Sequence, residues 1–167
     1  MNKRAQIWVE TVVYTLIGLA LIGLVLTIIT PKINELKDRK VIEQTIDSLN
    51  AIDSKINEVL SAPGNVRIVE IELNKGEIYF DNANDLIRFE LSESKSLFSE
   101  PDVEVFFGKV KVKTTEGVKR HKVELFLEYG IDLKNEDGDG LKKISQASVP
   151  YRLSIENRGA YVNIDSI

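Results

Sequence analysis

At 167 residues, with a net charge of −4 and 29% charged side chains, the chain has room for one membrane helix and one domain of about 100 residues. It has no cysteine, which excludes disulfides, thiolate metal sites and cysteine nucleophiles, so any folded part must be held by packing alone. The first 64 residues carry seven acidic and seven basic groups, the negative balance lies beyond them, and nucleic acid is not an expected partner.

A short basic start, Met1-Asn2-Lys3-Arg4-Ala5, is followed by Gln6-Ile7-Trp8-Val9-Glu10 and then by an uncharged apolar run from Thr11 to Thr30. As a helix, about 20 such residues cross a hydrocarbon core of roughly 30 Å. Glu10 stands at the mouth of that run. An ionisable group at membrane depth costs on the order of 3 kcal/mol, so it ordinarily has a partner or a function. An ordinary secretory signal does not fit, because its apolar core is about 7–15 residues and ends in a small-residue cleavage site, whereas Thr30-Pro31-Lys32 is no such site.

The order of basic leader, small residue, Gln, three residues, Glu and long apolar run resembles the class III signal peptide of archaeal type IV pilin-like proteins. The resemblance covers about 25 residues and implies that a prepilin peptidase cuts between Ala5 and Gln6 while the apolar segment stays in the mature subunit. Ala5 stands where Gly is commoner in that family, and Trp8 where Ser is frequent. By the same resemblance Gln6 would carry the new N-terminus and Glu10 would assist assembly by pairing with the free amine of a neighbouring subunit's Gln6. The competing reading is an uncut single-span anchor displaying a β-rich binding domain. The basic residues Lys32, Lys37, Arg39 and Lys40 outnumber Lys3 and Arg4, and by themselves they would place the head on the cytoplasmic side.

Pro31 begins a fresh helix or interrupts a continuous one; the sequence allows both. Beyond it Ile33, Leu36, Ile42, Ile46, Leu49, Ile52, Ile56 and Val59 recur at spacings near three and four, with charged residues between them, which predicts an amphipathic helix. Ser61-Ala62-Pro63-Gly64-Asn65 ends it. The expected organisation is a leader over 1–5, a membrane and assembly helix over 6–30, an amphipathic helix over 31–62 and a β-rich head over 65–167.

In the head, Val66 to Leu73 and Ile78 to Phe80 read as a hairpin, Leu86 to Leu91 as a further strand, and Ser92 to Asp102 as an exposed loop. Val103 to Lys113 and Lys119 to Tyr129 read as a second hairpin, with a β-bulge at Gly108 where the apolar parity slips. Val149 to Glu156 and Ala160 to Ile164 flank Asn157-Arg158-Gly159 as a third. About seven strands predict an α+β chain, a long N-terminal helix followed by an all-β antiparallel head, sheet or small sandwich, whose apolar face receives the helix end.

No catalytic residue is expected. His121 is the single histidine and lies in a basic strand start, with neither a second His nor any Cys to complete a zinc set. Glu70 and Glu72 alternate along a strand as a polar outer face does. Asn135, Asp137, Asp139 and Gly140 match the opening of a calcium loop, but Lys143 and Gln146 occupy its ninth and twelfth positions, so a plain acidic turn is the favoured reading over a weak calcium site. There is no Asn-x-Ser/Thr sequon. The expected partners are the prepilin peptidase, the membrane and further copies of the chain in a surface filament, with possible adhesion left to a head that identifies no receptor.

Overall fold

The computed structural model describes residues 3–135 and 140–167, with side chains from Trp8 onward. One α-helix, α1, runs over Lys3–Val59, 57 residues, straight through Pro31 in sequence. Of the two readings open at Thr30-Pro31, the continuous helix is the one found. Proline lacks an N–H and so costs the carbonyl of Thr27 its donor. The chain divides into two compact units, Met1–Lys37 and Asp38–Ile167.

Among its described residues the second unit holds the rest of α1 and ten strands, so the chain is α+β with a β-rich head. The strands are β1 (Val66–Ile71), β2 (Glu77–Asp81), β3 (Leu86–Ser94), β4 (Glu104–Phe107), β5 (Val110–Thr115), β6 (His121–Glu128), β7 (Leu133–Lys134), β8 (Leu141–Ser145), β9 (Tyr151–Asn157) and β10 (Val162–Ser166). They form a four-stranded sheet in the order β1-β9-β10-β7 and a six-stranded sheet in the order β4-β5-β6-β3-β2-β8. All neighbours are antiparallel except β10 and β7, which run parallel.

Three local expectations are corrected. β1 and β2 do not form a hairpin: β1 pairs with β9 and β2 with β3 and β8, so adjacent strands enter different sheets. Short antiparallel strands of similar pattern do not encode their partner, and burying two faces on one helix separates these two. Gly108 makes no bulge. It opens a two-residue turn with φ of +66° between β4 and β5, where Phe107 pairs with Val110, and the parity slip is the chain reversing. The Ser92–Asp102 stretch is not simply an exposed loop. β3 continues to Ser94, Ser94 and Ser96 are buried, and the Ser99 hydroxyl lies 2.7 Å from that of Thr114.

Both sheets and α1 share one core. Ile42, Ile46, Leu49, Ile52, Ile56 and Val59 are buried together with Val69 and Ile71 of β1, Phe89 of β3, Leu125 of β6 and Ile155 of β9. The alternation of β3 and β6 puts every second side chain inward, and the helix supplies its stripe to that surface. The helix then stops in a turn. Leu60, Ser61 and Ala62 donate to the carbonyls of Ile56, Glu58 and Val59, and Gly64 takes φ of +85° to redirect the chain into β1.

Candidate membrane and assembly segment

Within the first unit, the helix from Trp8 to Ile29 presents apolar side chains on every side. The most apolar window has none of its residues buried. Trp8 is 70% exposed and Leu19 61%. Fifteen large apolar side chains between Trp8 and Ile29 are 38–72% exposed, and at about 1.5–3 kcal/mol for burying a fully exposed one, roughly 10–25 kcal/mol is at stake in covering them. A helix apolar all round is a buried helix or a membrane span. Its polar atoms are prepared for such surroundings. The hydroxyls of Thr15 and Thr30 donate to the carbonyls of Thr11 and Leu26 at 2.8 and 2.7 Å, and that of Thr27 to Leu24 at 2.7 Å. No hydroxyl of the three enters a lipid phase without an acceptor.

The expected processing and assembly residues fall on the first turns. The Ala5–Gln6 bond lies within α1, and the side chains of both residues lie outside the described residues. Glu10 is exposed, one helical turn beyond Gln6. At the other end, Ile33 and Leu36 are exposed, while Ile42 and the rest of the expected stripe are buried. Lys32 pairs with Glu35 at 2.8 Å and Arg39 with Glu43 at 3.0 Å, so two of the four basic residues past the span carry their own counter-charge.

The described residues of the head have no comparable feature. His121 Nδ1 accepts from the backbone N–H of Gly117 at 3.5 Å, which suits a strand-end histidine. Of the calcium-like set, Asn135 is buried and Gly140 exposed, whereas Asp137 and Asp139 lie outside the described residues. Among the described residues no group of three His, Asp or Glu side chains converges to hold a metal. Glu70 and Glu72 border an open cleft of about 330 Å³ with Asp47 and Ser48 of α1, and Glu70 is already paired with Arg152 at 3.3 Å.

What pattern reading missed is the set of polar side chains that fasten α1 into the head. Asp38, 5% exposed, accepts from Lys75 Nζ at 2.6 Å and from the backbone N–H of Lys95 at 2.7 Å. Asp53 accepts from Tyr129 Oη at 3.0 Å and Lys109 Nζ at 3.1 Å, while Lys109 lies 3.9 Å from the Tyr129 ring centre. Burial, reinforced by the Asp53 carboxylate, pushes the Tyr129 phenol well above its ordinary 10.0. Asn157 Nδ2 donates to the carbonyl of Val59 at 3.0 Å and caps the helix from 98 residues away.

Across the outer face of the six-stranded sheet, Phe106, Lys111, Phe126, Arg88, Tyr79 and Lys143 are paired strand by strand in one row. Lys111 sits 5.4 Å from the Phe126 ring centre and Arg88 4.8 Å from that of Tyr79. Carboxylates flank the row. Glu77 is held below the usual carboxylate range by hydrogen bonds from Lys143 and Tyr79, and Glu128 bonds Lys111 at 2.7 Å. Cations lying on aromatic faces and paired with neighbouring carboxylates fit a cross-strand stabilising row.

No protein-family model, curated protein or solved structure matches this chain.

Proposed function

We propose that the chain is a structural subunit of an archaeal type IV pilus-like surface filament, trimmed by prepilin peptidase between Ala5 and Gln6 and assembled through its N-terminal helix. The observation that carries this reading is an apolar helical stretch left unburied by the described residues, in the same continuous helix whose later turns line the core of a β-rich head. Before assembly lipid covers the span; in the filament the spans of other copies do so, with the heads outside. Glu10 then lies in an apolar bundle, where a carboxylate is tolerable beside an opposite charge, and the free amine of a neighbour's Gln6 supplies one. The leader order Ala5-Gln6 with Glu10 four residues on supports the processing step.

Mass spectrometry of the protein from its native membrane tests the reading. It should give an N-terminus at Gln6, and Glu10→Ala should be trimmed normally yet fail to enter filaments. Met1 retained on the mature protein, with the chain present as single molecules in the membrane, would establish the uncut single-span anchor instead.

A further inference from the structure

We propose that the exposed stripe of α1 just past the apolar span docks on the edge strand β4 of a second copy of this chain. The stripe consists of Ile33, Leu36, Lys37 and Lys40, whose offsets of three, four and seven residues place them along one line of the helix. Ile33 and Leu36 are 45% and 65% exposed. Among the described residues neither Lys37 nor Lys40 takes part in an ion pair, although their neighbours Lys32 and Arg39 do.

The receiving surface has the opposite sign. Among the described residues β4 pairs only with β5, so one of its edges has no strand partner there. Phe106 of β4 is 65% exposed, and Val103, just before the strand, is 45% exposed. Close to them in sequence stand Glu100, Asp102 and Glu104, all exposed, and among the described residues only Glu104 has a cationic partner, Lys111 at 3.7 Å. An apolar pair with two lysines on one side meets the exposed Phe106, with two uncommitted carboxylates near it in sequence, on the other. An anionic lipid surface could meet the lysines of the stripe but is repelled by the carboxylates near β4, so it fits only one of the two surfaces. Every copy of the chain carries the complementary stripe, so a second copy is the occupant that the charges select. The two surfaces are different, which makes the contact heterologous, and a heterologous contact that does not close into a ring repeats along a filament.

This inference rests on the assembly reading above, and the absence of native cysteine makes it testable by cross-linking. Two full-length copies with different tags, one Leu36→Cys and one Phe106→Cys, are expressed together, allowed to assemble and oxidised. A disulfide joining the two tags is expected, with far less from Leu36→Cys beside Val118→Cys, a fully exposed position on the β5–β6 turn. Lys37→Glu with Lys40→Glu should lower the yield roughly fivefold, and Glu100→Lys with Asp102→Lys in the partner should restore it. Cysteines placed at Leu19, Leu21 or Leu24 in both copies read span bundling separately. Cross-links among the spans without one between Leu36 and Phe106 overturn the docking and leave assembly standing. Their absence at both overturns both readings.

Discussion

Asn157 shows how one side chain joins segments that are distant in sequence. Its amide caps Val59, its side-chain oxygen accepts from Gly159 N–H at 2.8 Å, its backbone N–H donates to Asn65, and its carbonyl accepts from Gly64. Asn157→Ala leaves a buried helix-end carbonyl and a turn N–H without these partners, so a loss of about 2–4 kcal/mol is expected in chemical denaturation of the detergent-solubilised chain. In sequence Asn157 looks like any turn residue beside Arg158-Gly159; its partner Val59 can be found only once the chain is folded. Tyr129 gives a pH-dependent prediction. Its phenol ionises less readily folded than unfolded, because burial and then Asp53 oppose the charge. Its contribution to stability is therefore whole below its ordinary 10.0 and is lost as pH rises above that value. Tyr129→Phe should lower stability at neutral pH and flatten its decline above pH 10, as measured by denaturant midpoints across alkaline pH.

At the scale of elements, periodicity was a good guide wherever one face is buried. Ile42, Ile46, Leu49, Ile52, Ile56 and Val59 follow helical spacing and all lie in the core, and the inward alternation of β6 puts Val123, Leu125 and Leu127 there too. Turn geometry was harder to read. The parity change near Gly108 is common to a bulge and a two-residue reversal, and only the Phe107–Val110 pairing distinguishes them. A Cβ on Gly108 would meet Asn50 Oδ1 at 2.7 Å with φ at +66°, and Asn50 also donates to the carbonyl of Phe107 at 3.3 Å. Gly108→Val should therefore cost about 1–3 kcal/mol. Val118→Ala, on an open turn, should change the denaturation midpoint little and serves as the comparison.

For the whole molecule, the decisive asymmetry is between the units. Asp38–Ile167 has its own core, whereas in Met1–Lys37 none of the most apolar window is buried among the described residues. The expected consequence is membrane retention: the full chain should stay in the pellet when membranes are washed with alkaline carbonate. Leu19→Asp with Ile22→Asp, at roughly 3 kcal/mol for each central aspartate, should release a large part of it. The long apolar helical stretch, the amphipathic stripe and the α+β class were legible because each depends on local composition and period, which any short window of sequence contains. Strand order, the division of β1 and β2 between sheets, the cap from Asn157 and the aromatic–cation row were settled by tertiary structure alone. An alternating strand specifies which face it buries but not which neighbour it joins, and that choice falls to the packing of two sheets on one helix.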